Sequence, residues 1–216
     1  MNNNESYTKM RKLNSFEDIT KHNDEEIDLV LLLDKSESMC DIAEETLVGF
    51  NSFIEREKYE NPNILVTLVL FDKQYKVLYS KKPIGQIDKL TREDFYADGC
   101  TALYDAIGTA INNVDKFAGN KVLFVITTDG LENSSMEYNF SDINKLIENH
   151  NWEFLFIGAN IDSYSEAGKI GITPLHSANY TKSQYGVNRL FNSISLAIRN
   201  VMNSQPLSDN WKRDLS

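Results

Sequence analysis

The chain has 216 residues, 41% hydrophobic and 25% charged, with a formal net charge of −10. That length and composition predict one globular domain with a sizeable core, and they exclude repeat and low-complexity architectures. From Thr181 onward, five Lys or Arg face two acids, so that segment is +3 and the remainder carries −13. Such an acidic body argues against sequence-independent nucleic-acid binding.

No apolar run approaches the ~20 residues that span a bilayer, so no membrane association is expected. The first 26 residues contain no apolar core of a secretory signal. Cys40 and Cys100 make no disulfide framework, and a reducing, cytoplasmic setting is expected.

Residues 1–25 read as a polar N-terminal extension. Ser15 and Asp18 there make a weak capping box, so a short helix through Ile19 and a plain loop both fit. The apolar run Ile27–Leu33, broken only by Asp28, reads as a buried strand of a parallel sheet. Ile42, Leu47, Phe50 and Ile54 then recur at helical spacing, which predicts a helix from Asp41 to about Lys58. Asn61-Pro62-Asn63 stops it. Ile64–Phe71 and Tyr75–Tyr79, separated by three polar residues, predict a hairpin and hence one antiparallel strand.

A loop from Ser80 to Cys100 leads to a helix over Ala102–Phe117, with Leu103, Ile107, Ala110, Ile111 and Val114 on one face. Lys121–Thr128 is the next buried strand. Ser141 is expected to cap a helix over Asp142–His150. Trp152–Ile157 is a further strand, Asp162–Lys169 a short helix closed by Gly168 or Gly171, and Pro174–Tyr180 a last, edge strand. Thr181 or Ser183 opens a long helix to about Asn203, and the last ten residues read as a tail. Strands alternating with helices predict a doubly wound, Rossmann-like α/β fold. Its central sheet is mostly parallel with one antiparallel edge strand, and helices cover both faces. The expected domain is 26–203, followed by a C-terminal tail, 204–216.

The chemistry concentrates where the first strand stops. Asp34, Ser36 and Ser38 place one carboxylate and two hydroxyls at alternating positions on a turn, at the strand's carboxyl end. Open α/β sheets build their binding sites at that end. Oxygens of this kind suit a hard cation such as Mg²⁺. Two further polar positions fall at comparable places: Thr101 at a helix N-terminus and Asp129 closing a strand. Taken singly, Ser36, Ser38 and Thr101 are ordinary helix caps and Asp129-Gly130 an ordinary turn.

Together they resemble the metal-ion-dependent adhesion site (MIDAS) of von Willebrand factor type A domains, D-x-S-x-S followed by a distant Thr and a distant Asp. DGCTALYDAI around Thr101 resembles the family's G-G-T-A-L-x-D-A-I form, and TTDG around Asp129 resembles its [ST]-D-G. The resemblance covers about Glu26 to Asn203; Cys100 stands where the family has a second Gly. It implies an octahedral divalent cation, usually Mg²⁺, with Mn²⁺ or Ca²⁺ as substitutes. Ser36 and Ser38 would coordinate directly, Thr101 directly or through water, and Asp34 and Asp129 largely through waters. A partner protein's Asp or Glu would take the open position. The resemblance thus implies a non-enzymatic interaction module of the intracellular bacterial or phage type. Such members serve larger assemblies, among them stress-response, AAA+ ATPase-linked, phage and defence systems. Oligomeric state is not legible.

The enzymatic alternative is a haloacid-dehalogenase-like, Mg²⁺-dependent phosphohydrolase with Asp34 as nucleophile. It requires a second Asp two positions on, where this chain has Ser36, and a later acidic pair, where Asp129 is followed by Gly130 and Leu131. Lys35 and Glu37 read as rim residues, Asp98 as a solvated loop residue and Asp105 as a local hydrogen-bonding group. His22, His150 and His176 show no paired spacing and read as non-ligands.

Overall fold

The computed structural model describes residues 26–119 and 121–215; the Ser15–Ile19 segment lies outside them. Its centre is β1 (Ile27–Asp34), whose eight residues are all buried. Alternate side chains of this strand enter two different cores. Ile27, Leu29, Leu31 and Leu33 face one, Val30 and Leu32 the other. A strand covered on both faces has no polar alternation, hence the continuous apolar run.

On one side of β1 lie β2 (Ile64–Phe71) and β3 (Tyr75–Pro83); on the other lie β4 (Val122–Thr128), β5 (Glu153–Ala159) and β6 (Ser177–Tyr180). The order is β3-β2-β1-β4-β5-β6. Only β3 is antiparallel, and it forms an edge. The expected fold class is therefore present. Strand β3 runs four residues beyond the expected Tyr79, its register shifting near Leu68.

Helices α1 (Ala43–Glu60) and α5 (Gln184–Met202) cover one face, packing closely through Gly49. A Cβ on Gly49 would stand 2.7 Å from Val187 Cγ1, so no larger residue fits without displacement. Phe53 and Phe191 stack at the same contact, with centroids 5.4 Å apart. Helices α2 (Leu103–Val114), α3 (Phe140–Glu148) and α4 (Ser163–Lys169) belong to the other face.

Boundaries shift where caps differ from those expected. Helix α3 starts at Phe140 because Asn139, not Ser141, makes a reciprocal capping box with Asp142. Ser183 caps α5 by accepting from Gly186 N. Gly171 follows α4 in the left-handed region at φ +84°, which Gly168 does not adopt. The stretch read as a tail packs onto the core through Leu207 and Trp211; Trp211 is 1% exposed and donates from Nε1 to Leu175 O at 2.9 Å.

The connection after β1 goes to β2 on one side, whereas β4 flanks it on the other. The carboxyl ends of β1 and β4 therefore frame the point where strand order reverses, the place at which open α/β sheets bind their ligands.

Candidate metal centre

Asp34 is the last residue of β1 and is 0% exposed. Both of its oxygens are occupied: Oδ1 accepts from Ser36 N at 2.7 Å and Oδ2 from Thr128 Oγ1 at 2.6 Å. Burial raises its pKa from 3.8 to about 6, opposed by these hydrogen bonds and reinforced by the charge of Asp129.

After Asp34 the chain turns into a 3-10 segment, Glu37–Ile42. Ser36 precedes it but makes no side-chain cap, and its hydroxyl lies 3.1 Å from that of Ser38. Ser38 Oγ donates in turn to Asp129 Oδ1 at 2.5 Å. Thr101 likewise makes no cap: α2 has Ala102 at that position, without a side-chain bond. The capping reading of Ser36 and Thr101 is therefore corrected. Their hydroxyls are not spent on helix ends.

Gly130 shows how closely these groups converge. A Cβ there would meet Thr101 Oγ1 at 2.7 Å and Ser38 Oγ at 3.6 Å. All five expected residues, Asp34, Ser36, Ser38, Thr101 and Asp129, thus meet at one end of the sheet. Their donors are hard oxygens, which fits Mg²⁺-type chemistry. The 3.1 Å between the two serine hydroxyls is close to the ~2.9 Å edge of an octahedron with oxygens at Mg²⁺ distance. Asp129, 7% exposed, has an Oδ2 without a directed hydrogen bond. Among the described residues, no group of three His, Cys, Asp or Glu gathers as a metal cluster; the groups that converge here are mostly hydroxyls.

Several supporting residues escaped the sequence reading. Thr128 fixes Asp34, as above. The loop after Asp129 holds the start of α2: Asn133 Oδ1 accepts from Thr101 N, Glu132 Oε2 from Tyr104 N and Ser135 Oγ from Asp105 N. Asp105 reciprocates by accepting from the backbone of Met136, Glu137 and Tyr138. These bonds lock Thr101 to the loop that carries Asp129. Lys35 is more than a rim residue, because its ammonium pairs with Asp72 beside β2.

Lys182 is the least expected contributor. From the turn between β6 and α5 it reaches Asp129 Oδ2 at 2.6 Å and donates to Ser38 O at 2.6 Å. Nothing in its local sequence marks it. Tyr180, the last residue of β6, is buried, and burial together with the charges of Asp129 and Asp34 pushes its phenol upward.

Comparison with known proteins agrees with this architecture. A family model described as von Willebrand factor type A domain matches residues 28–193. Among solved structures, the vWF domain of the type V pili tip protein Mfa5 from Porphyromonas gingivalis is similar at TM-score 0.65 and 10% identity. That match covers 85% of this chain and 98% of the other. The pilus adhesin SpaC from Lactobacillus rhamnosus GG gives TM-score 0.67 at 12% identity, over 83% of this chain and 30% of that one. Proximal thread matrix protein 1 from the mussel byssus, in a form with a zinc-occupied MIDAS motif, gives TM-score 0.56 at 18% identity. This chain is covered to 83% there and spans 45% of the mussel protein's length. None of the curated proteins matches.

Proposed function

Because this chain belongs to the von Willebrand factor type A domain family, typically protein-interaction modules, we propose that it captures a partner carboxylate through a Mg²⁺ ion held at these three loops. The observation that carries the reading is the convergence of the Ser36, Ser38 and Thr101 hydroxyls beside Asp129, with neither Ser36 nor Thr101 spent on capping a helix. Mn²⁺ or Ca²⁺ would substitute, and the mussel protein's zinc-occupied motif supports divalent binding by such a site.

When bound, the ion supplies an electrophilic position that an Asp or Glu of a partner protein can complete. The chain's own residues do the rest. Ser36, Ser38 and Thr101 offer neutral oxygens, so little of the ion's charge is quenched before a partner arrives. Asp34 orients the first loop through Ser36 N, while Asp129 holds the Ser38 hydroxyl in place. The 132–135 loop fixes Thr101 against Asp129, so the three loops act as one unit.

The phosphohydrolase alternative gains nothing from this geometry. Both Asp34 oxygens are hydrogen-bonded in a buried position, so the side chain is not presented for attack on a phosphate. The exposed free thiols of Cys40 and Cys100 fit a reducing compartment, and we place the module inside the cell as part of a larger assembly. No described helix is long and apolar enough to cross a membrane.

Calorimetric titration of Mg²⁺ into chelator-treated protein tests the proposal. One saturable site is expected, lost in Asp34→Ala and in Thr101→Ala. Acetate should then shift amide resonances of the three loops in Mg²⁺ and leave them unmoved in EDTA. Absence of binding in the wild type, or equal binding in Thr101→Ala, defeats the reading.

A further inference from the structure

Among the described residues, Lys182 is the one basic side chain ion-paired with either carboxylate of the centre. The pair is well shielded: the Asp129 side chain is 0% exposed and that of Lys182 15%. The contact to Asp129 Oδ2 is electrostatic and undirected, whereas the bond to Ser38 O is directed. One ammonium therefore ties together two of the loops that present metal oxygens, from a turn that belongs to neither.

A divalent cation among Ser36, Ser38 and Thr101 would bring like charge within a few ångströms of this ammonium. Because the Lys182–Asp129 pair is itself shielded from solvent, such repulsion is only weakly screened. The ammonium therefore opposes uptake of the ion for as long as it stays on Asp129. We propose that Lys182 is a built-in counter-ion that competes with the metal and sets the affinity of the centre. The inference rests on the reading that this site takes a divalent cation. Lys182 directly precedes Ser183, the cap of α5, so the competing charge is anchored where the last helix begins.

The test compares Mg²⁺ affinity by calorimetry in the wild type, Lys182→Gln, Lys182→Arg and Lys121→Gln. Lys121 belongs to the amino end of the sheet, where it donates to Met202 O, so its replacement controls for overall charge. Near-ultraviolet circular dichroism establishes that each variant is folded. Removing the competitor should tighten binding about tenfold or more in Lys182→Gln. Lys182→Arg, which keeps the charge, should stay near the wild type, and Lys121→Gln should change by less than about twofold, as expected for a distant screened charge. A second readout is thermal: without metal, Lys182→Gln should melt lower than the wild type, because Asp129 loses its partner. Unchanged or weaker binding in Lys182→Gln overturns the inference while the metal reading stands. So does equal tightening in Lys182→Arg. Binding in none of the four proteins overturns both.

Discussion

Asp34 is where a single residue's environment becomes measurable. Its carboxyl has a pKa of about 6 in the folded protein against an ordinary 3.8, because burial outweighs the bonds from Thr128 and Ser36. The folded state therefore holds this proton more tightly than the unfolded chain does. The resulting stability is fully present below pH 3.8 and is lost as pH rises through about 6. Its size is roughly 3 kcal/mol at most. Urea unfolding of metal-free protein between pH 4 and 7.5 should show Asp34→Asn losing this dependence, as the difference from the wild type. Parallel curves for the two proteins would mean that folding does not raise the Asp34 pKa. At the same scale, Asp34, Ser36, Ser38, Thr101 and Asp129 stand out in the sequence only as a set, through their joint resemblance to the D-x-S-x-S, Thr and Asp pattern; singly, the hydroxyl residues read as caps and Asp129 as a turn. Lys182 and Thr128 do not stand out. Lysine in a polar turn and threonine at a strand end are commonplace, and only the fold brings them to Asp129 and Asp34.

Among the elements, strands and amphipathic helices were readable because burial imposes a period on the chain. In α5 the residues Val187, Leu190, Phe191, Ile194, Ile198 and Val201 recur at helical spacing, and all six are buried. What lacks a period was misread. Leu207 and Trp211 are two isolated apolar residues among polar ones, so the segment resembles a tail, yet a 3-10 turn, Asp209–Lys212, sets the indole into the core beside α5. Trp211→Ala should therefore cost about 3–5 kcal/mol in urea denaturation, through lost burial and an empty cavity. A loss under about 0.5 kcal/mol, the range of surface substitutions, would show that the segment does not contribute to the fold in solution. The 132–135 loop was missed for a related reason. Its Glu, Asn and Ser side chains act on the backbone of α2, some thirty residues earlier, and such long-range capping leaves no mark in local spacing.

At the level of the whole molecule, doubly wound topology does two things. It buries β1 from both faces, so its carboxyl end is held rigidly, and it brings the ends of β1 and β4 together with the start of α2. Loops from three separated segments thereby share one small volume, so oxygens gather there although the described residues contain no cluster of three acidic, histidine or cysteine ligands; on the proposed reading they would hold a hard cation. The formal charge of −10 supports this by raising the local concentration of divalent cations around the molecule. Everything proposed for this molecule turns on an ion held among the hydroxyls of Ser36, Ser38 and Thr101. Anomalous diffraction from crystals grown with Mn²⁺ tests that most directly. One strong peak is expected at the carboxyl end of the sheet, within bonding distance of the Ser36 and Ser38 hydroxyl oxygens. A map with no peak there, or with Mn²⁺ only on surface carboxylates, would contradict it.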